Sequence, residues 1–176
     1  MTPQRQLWAP WRLNYIASAR KKETSGCLFC QKGKQSPSPR NLVVRKNAHC
    51  FSMLNKYPYN NGHLLIAPYR HLAHLDALTS DELLDMFLLA NQAIQTMERK
   101  LSPHGYNIGI NMGRVAGAGI PGHIHLHLVP RWSGDTNFMP TIAGVKVISQ
   151  SLESAHRLLS SSSPRSRRTS PKKRIR

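Results

Sequence analysis

Acidic side chains are the rarest charged groups in this chain: its 176 residues hold 8 Asp and Glu against 25 Lys and Arg, a formal net charge of +17. Seven of the bases lie between Ser160 and Arg176, a stretch with no acid, which leaves the body of the chain near +10. A field of that sign draws in polyanions, nucleotides or nucleic acid alike, without saying which. Cysteine is also scarce, and three residues (Cys27, Cys30, Cys50) are too few for a disulfide framework. No apolar run approaches the roughly 20 residues that cross a bilayer. Met1 to Arg12 alternates polar and aromatic residues where a signal peptide needs an apolar stretch. The expectation is a cytoplasmic chain with no membrane partner. Its length fits one domain with a real core and leaves no room for a second.

One helix is written plainly. Thr79-Ser80-Asp81-Glu82 supplies a capping box, and Leu83, Phe87, Ala90, Ile94, Met97 and Leu101 follow at alternating spacings of four and three, ending near Ser102-Pro103. That stripe reads as core. Short apolar runs over 42–45, 49–54, 63–67, 106–112 and 123–129 read as strands, with turn signals at 57–62 and 113–122. Cys50 falls in one of them and reads as core. Strands, helix, then strands, with links too short for repeated parallel crossovers, predict an α+β domain: an antiparallel sheet of about five strands carrying a long helix. Residues 160–176 are Ser, Pro, Lys and Arg with one apolar side chain, so the expected division is a folded domain over 1–159 and a disordered basic tail over 160–176. The tail is either a solvated extension or a nucleic-acid contact that releases counterions from phosphates.

The sharpest feature is His123-Ile124-His125-Leu126-His127, which directly follows Ala116-Gly117-Ala118-Gly119-Ile120-Pro121-Gly122. In a strand the three histidines project to one side and Ile124, Leu126 and Leu128 to the other, so the apolar set can face the core while the imidazoles face a cleft. Two chemistries use such an array. The histidines could hold a catalytic zinc, which normally needs a carboxylate as base, and only Asp135 follows closely. Alternatively a neutral imidazole is itself the nucleophile at an α-phosphate, and glycine-loop N–H groups cradle the charge. The second needs no carboxylate and suits a basic cleft. Separately, Cys27-Leu28-Phe29-Cys30 is ambiguous between a redox pair and half of a zinc site.

His-x-His-x-His continued by Leu128-Val129 resembles the signature of the histidine-triad (HIT) superfamily. Asn55-Lys56-Tyr57-Pro58, Gly62-His63-Leu64-Leu65-Ile66-Ala67-Pro68 and Pro68-Tyr69-Arg70-His71 extend the match. The flanks Leu7-Trp8-Ala9-Pro10-Trp11-Arg12 and Pro130-Arg131-Trp132-Ser133-Gly134-Asp135-Thr136-Asn137-Phe138-Met139-Pro140 resemble a bacterial branch of diadenosine tetraphosphate phosphorylases and HIT hydrolases. The resemblance spans roughly residues 7 to 152.

It implies a HIT-like catalytic domain and a nucleotidyl-histidine intermediate on His125. His127 would contact phosphate and leaving group, and His63 would support the array. Asn55 falls on a ribose-binding position and Asn111 on one that lines the cleft. The acceptor would be water or orthophosphate, and the substrate a dinucleoside polyphosphate, diadenosine tetraphosphate first. Many members carry Gly-Gln-Ser or Gly-Gln-Thr before the histidines, where this chain has Ala118-Gly119-Ile120-Pro121. That leaves the N–H groups of Gly119 and Ile120 for phosphate and none from Pro121. By the same resemblance Cys27, Cys30, His71 and His123 form a closed structural zinc site, with no organic cofactor, and the chain pairs as a homodimer. Two rival functions are removal of adenylate from nucleic-acid ends, assisted by the tail, and a zinc-stabilised nucleotide-binding module without turnover.

Overall fold

A run of apolar residues forms a strand buried on both faces only where each face finds its own layer to pack on. Cys50–Leu54 and Leu64–Pro68 are such runs, buried at every position. The computed structural model describes residues 26–135 and 148–160. In chain order these form α1 (Leu28–Gly33), β1 (Val43–Lys46), β2 (Cys50–Leu54), β3 (Leu64–Pro68), a single 3-10 turn (Leu75–Ala77), α2 (Ser80–Lys100), β4 (Gly105–Ile110), β5 (Leu126–Arg131) and α3 (Leu152–Ser160). The five strands make one sheet in the order β1-β2-β3-β5-β4, antiparallel throughout. The fold is α+β, the antiparallel sheet with a long helix that the sequence predicts. The flanks over 7–12 and 136–140 and the tail over 161–176 lie outside the described residues.

Side-chain alternation divides the sheet into two cores. On one face Cys50, Leu54, Leu64, Ile66, Leu126 and Leu128 pack under Met86, Leu89, Ala90 and Met97 of α2 and Ala155 and Leu159 of α3. On the other Phe51, Met53, Leu65 and Ala67 pack against Phe29 of α1, with Tyr69 and Ile120 at the margin. Helix α2 is thus a lid on one face, and α1 carries the second core on the opposite one.

Helix α2 begins at the expected capping box. Glu82 N–H donates to Thr79 Oγ1 at 3.2 Å, and Thr79 N–H to Glu82 Oε2 at 2.9 Å. Its buried stripe differs from expectation in one respect: Phe87 is 55% exposed beside Leu84 and Leu88, while Met86 and Leu89 face the sheet. Residues 86–90 are apolar all round the helix, so periodicity alone fits two faces there. Polar residues settle the choice. Asp85 points inward and accepts from Asn47 Nδ2 and the N–H groups of His49 and Cys50 at 2.8, 2.8 and 2.9 Å, clamping the β1–β2 turn to the helix. Helix α3, unforeseen in the sequence, is held to β1 by buried His156, whose Nε2 lies 2.6 Å from Val43 O; Ser160, assigned by composition to the tail, closes it.

The histidine strand starts later than expected. Its ladder begins at Leu126, opposite Ile66 of β3 and Ile110 of β4. Upstream, Pro68 on β3 has no N–H to offer, and Ile124 N–H donates instead to Leu72 O at 2.7 Å. The alternation nevertheless persists, since Ile124, Leu126 and Leu128 all enter the helix-side core.

Glu82 gives the fold a signature in acid. Hydrogen bonds from Arg70 at 2.6 and 2.7 Å, then from Thr79, hold its carboxyl at about 2 instead of 4.5. A depressed carboxyl contributes stability that is present above its unfolded pKa and is lost as pH falls through the folded one. Urea unfolding at stepped pH should therefore show stability draining between about 4.5 and 2, and Glu82→Gln should flatten that part of the curve. An acid dependence identical in the variant would contradict the assignment.

Candidate active site

His125 is 4% exposed, and its Nδ1 lies 2.8 Å from the backbone oxygen of His123. A carbonyl only accepts, so Nδ1 carries the proton and Nε2 presents its lone pair. Burial pulls the ring's pKa below the usual imidazole range, which keeps that lone pair free at neutral pH. His123 is fixed by the same logic. Its Nε2–H donates to Pro68 O at 2.9 Å, which leaves Nδ1 unprotonated and facing the cysteines. Phe29, buried in the cysteine loop-helix, lies against both rings, with centroids 5.1 Å from His123 and 4.7 Å from His125.

The other end of the array forms a relay. His63 Nδ1 receives Tyr59 N–H at 3.0 Å and lies 3.3 Å from Asn55 Nδ2. The Asn55 amide is oriented by its own Oδ1, which accepts Tyr57 N–H at 2.9 Å. With donors on Nδ1, His63 carries its proton on Nε2 and gives it to His127 Nδ1 at 3.0 Å. His127 is left with its proton on Nε2, a buried atom without a hydrogen-bond partner. A buried donor without a partner costs free energy unless a ligand completes it. Burial, then the neighbouring His125, pulls the His127 pKa down to about 4.

Among the described residues no carboxylate is seen bonded to the three rings: Glu82 is held by Arg70, Asp85 bonds the hairpin and Asp135 bonds Arg131. The array therefore offers one unprotonated nitrogen on His125 and one neutral donor on His127, with ring centroids 4.9 Å apart.

The ligand atoms of Cys27, Cys30, His71 and His123 lie within 4.8 Å of one another. Cys27 Sγ is 3.2 Å and Cys30 Sγ 3.6 Å from His123 Nδ1, and Cys30 Sγ is 3.4 Å from His71 Nδ1. Sulfur and nitrogen on one tetrahedral zinc would be about 3.5 Å apart. The group could hold a metal ion. Burial, then the adjacent Cys27, raises Cys30 above the ordinary thiol range.

The remaining sequence candidates sit at the rim. Asn111, half-buried, approaches Gly117 of the glycine loop, whose φ of +92° suits glycine. The Ile120 side chain packs on the second core, while Gly119 is exposed. Two contributors escaped sequence reasoning. Phe29 was hidden between the two cysteines, and Tyr59 inside a turn signal.

The chain matches the model of the HIT domain over residues 37–134. It is 39% identical over 159 residues, 88% of this chain and 82% of the other, to the AP-4-A phosphorylase of Mycobacterium tuberculosis. Over 84 residues, 48% of this chain and 46% of the other, it is 37% identical to the asymmetrical bis(5'-nucleosyl)-tetraphosphatase of Schizosaccharomyces pombe. Among solved structures it superposes on a Zn-bound histidine triad family protein from Mycobacterium smegmatis with a TM-score of 0.61 at 26% identity, covering 77% of this chain and 91% of that one.

A proton titration followed by imidazole NMR tests the electrostatics of the array. His127 should stay neutral as pH falls past 6.5 and protonate with a midpoint near 4. A midpoint at the ordinary value would show that the ring is not desolvated.

Proposed function

Because the chain belongs to the HIT family, we propose that it is a nucleotide-processing enzyme that attacks the α-phosphate of dinucleoside polyphosphates, diadenosine tetraphosphate first among them, through a nucleotidyl intermediate on His125. The observation that carries this reading is the 2.8 Å hydrogen bond from His125 Nδ1 to the His123 carbonyl, which leaves Nε2 unprotonated and able to act as a nucleophile. The Nε2 lone pair forms a bond to phosphorus while the bond to the leaving polyphosphate breaks, its electron pair departing on the bridging oxygen. His127 Nε2–H stabilises that charge. In the second half an oxygen of water or orthophosphate attacks the phosphorus, loses its proton to solvent, and frees His125. Water gives a nucleoside monophosphate; phosphate gives a diphosphate. The relative named AP-4-A phosphorylase favours the phosphate route.

Cys27, Cys30, His71 and His123 are assigned to a structural zinc, a reading supported by their spacing and by the Zn-bound relative. With all four positions filled by protein, the ion has no place for substrate. When bound it would cross-link α1 to the residue whose carbonyl orients His125. Within this scheme Asn55 serves the relay through His63, and Gly119 and Ile120 offer backbone N–H groups to phosphate.

Incubating the protein with labelled diadenosine tetraphosphate, with and without orthophosphate, should yield labelled diphosphate only when phosphate is present. His125→Ala should lower kcat by roughly 10³-fold or more. Turnover that survives this substitution refutes the role given to His125. Elemental analysis should find zinc in the intact protein and its loss, with a lower Tm, in Cys27→Ser; purified protein free of zinc overturns the metal assignment.

A further inference from the structure

The proposed reaction leaves most of the chain's positive charge unused. Residues 161–176, beyond the described ones, include seven Lys and Arg, five of them Arg, with no acid, no aromatic and one apolar side chain, Ile175. A basic run by itself is usually a solvated extension; this one joins the fold beside further basic side chains. It follows Ser160, the last residue of α3. The preceding Leu159 is buried and lines one small hollow with Arg45 of β1 and Gln92 and Thr96 of α2.

Two arginines border that hollow. A register shift between Val43 and Arg45 sets Arg45 opposite Ser52, on the helix side of the sheet, where its Nη1 donates to Gln92 Oε1 at 3.1 Å. One turn beyond Thr96 on α2, Arg99 Nη2 donates to Thr96 Oγ1 at 3.5 Å. Both partners are uncharged. Among the described residues the ion pairs join Arg70 to Glu82, Arg131 to Asp135 and Arg157 to Glu153, so neither Arg45 nor Arg99 is neutralised by a carboxylate. Each guanidinium carries five N–H donors and keeps some to offer a ligand. The histidine array lies on the other face of the sheet, with Phe29 and the second core.

We propose that Arg45, Arg99 and the basic stretch 161–176 form one binding site for the phosphates of nucleic acid, on the face of the sheet opposite the histidine array. The site is independent of the proposed reaction. A duplex carries one negative charge per roughly 1.7 Å of its axis, and cations that neutralise these charges release bound counterions. Arginine forks engage phosphate oxygens two at a time. The stretch has no aromatic side chain to stack on bases, so the site reads the backbone and not the sequence. A lipid surface fits less well. Stable attachment there takes an apolar anchor beside the basic cluster, and the stretch has Ile175 alone and no cysteine.

Fluorescence anisotropy of the full chain with labelled DNA and RNA duplexes of about 20 base pairs, across roughly 50 to 200 mM salt, tests the site. The wild type should bind at least one kind of duplex, equally well when the sequence is scrambled, and more weakly as salt rises. Replacing Arg165, Arg167 and Arg168 together with Gln should weaken binding about tenfold or more and flatten the slope of log affinity against log salt by about 2 to 3. Arg45→Gln with Arg99→Gln should flatten it by about 2 while turnover of diadenosine tetraphosphate is kept. Arg45→Lys with Arg99→Lys retains the charge and should retain the slope, which separates lost charge from a damaged fold. His125→Ala should bind duplex as the wild type does, and excess diadenosine tetraphosphate should not displace it. A wild type that binds neither duplex, a slope unchanged in either Gln variant, or displacement by the dinucleotide would overturn the proposal. So would tighter binding to vesicles of phosphatidylserine and phosphatidylcholine than to either duplex at matched phosphate concentration.

Discussion

A nucleophilic imidazole must be neutral, aimed and held; in the proposed reaction the hydrogen bond from His125 Nδ1–H to the backbone oxygen of His123 aims and holds the ring, and burial keeps it neutral. A carboxylate in that place would orient the ring equally well and would also favour its protonated form. A carbonyl carries no net charge and favours that form less, so burial outweighs it and the ring's pKa stays below the usual imidazole range. Much of the surrounding structure keeps that oxygen in place. His123 is tied through its ring to Pro68 O, Ile124 is tied through its N–H to Leu72 O, and Leu126 begins a ladder with strands on both sides.

The two cores divide the remaining labour. The helix-side core anchors Ile124, Leu126 and Leu128, which sets the phase of the histidines between them. The opposite core brings Phe29, and with it Cys27 and Cys30, up against His123 and His125. The proposed ion site and the proposed bond-making site thus share one residue, His123, with the ring assigned to the first and the backbone carbonyl to the second. The excess of basic residues fits the same picture. Acids are few, and the buried ones are engaged in capping α2 and clamping the β1–β2 turn, so burial outweighs the backbone hydrogen bonds that favour the protonated rings of His123 and His125.

Much of this was legible in the amino-acid sequence where a local rule has one outcome. The capping box at Thr79 starts a helix, and a period-two histidine run puts three rings on one side. Legibility failed where tertiary contacts choose between local options. Residues 86–90 are apolar on every side, and only the inward pull of Asp85 shows that Met86 and Leu89, not Phe87, meet the sheet. The late start of β5 depends on a proline in a strand distant in sequence. Helix α3 is short and polar on one side, and a buried hydrogen bond from His156 to β1 helps hold it. Tyr59 was invisible for a different reason: it holds His63 through a backbone N–H, which no side-chain pattern reports.

The central claim is a double displacement at phosphorus by way of His125, and stereochemistry tests it directly. A dinucleoside polyphosphate made chiral at the attacked α-phosphorus with sulfur and an oxygen isotope would be turned over and the configuration of the product determined. Two successive in-line displacements give overall retention, which is the predicted result. Inversion would mean that water or phosphate attacks in a single step, and His125 would then have some other role.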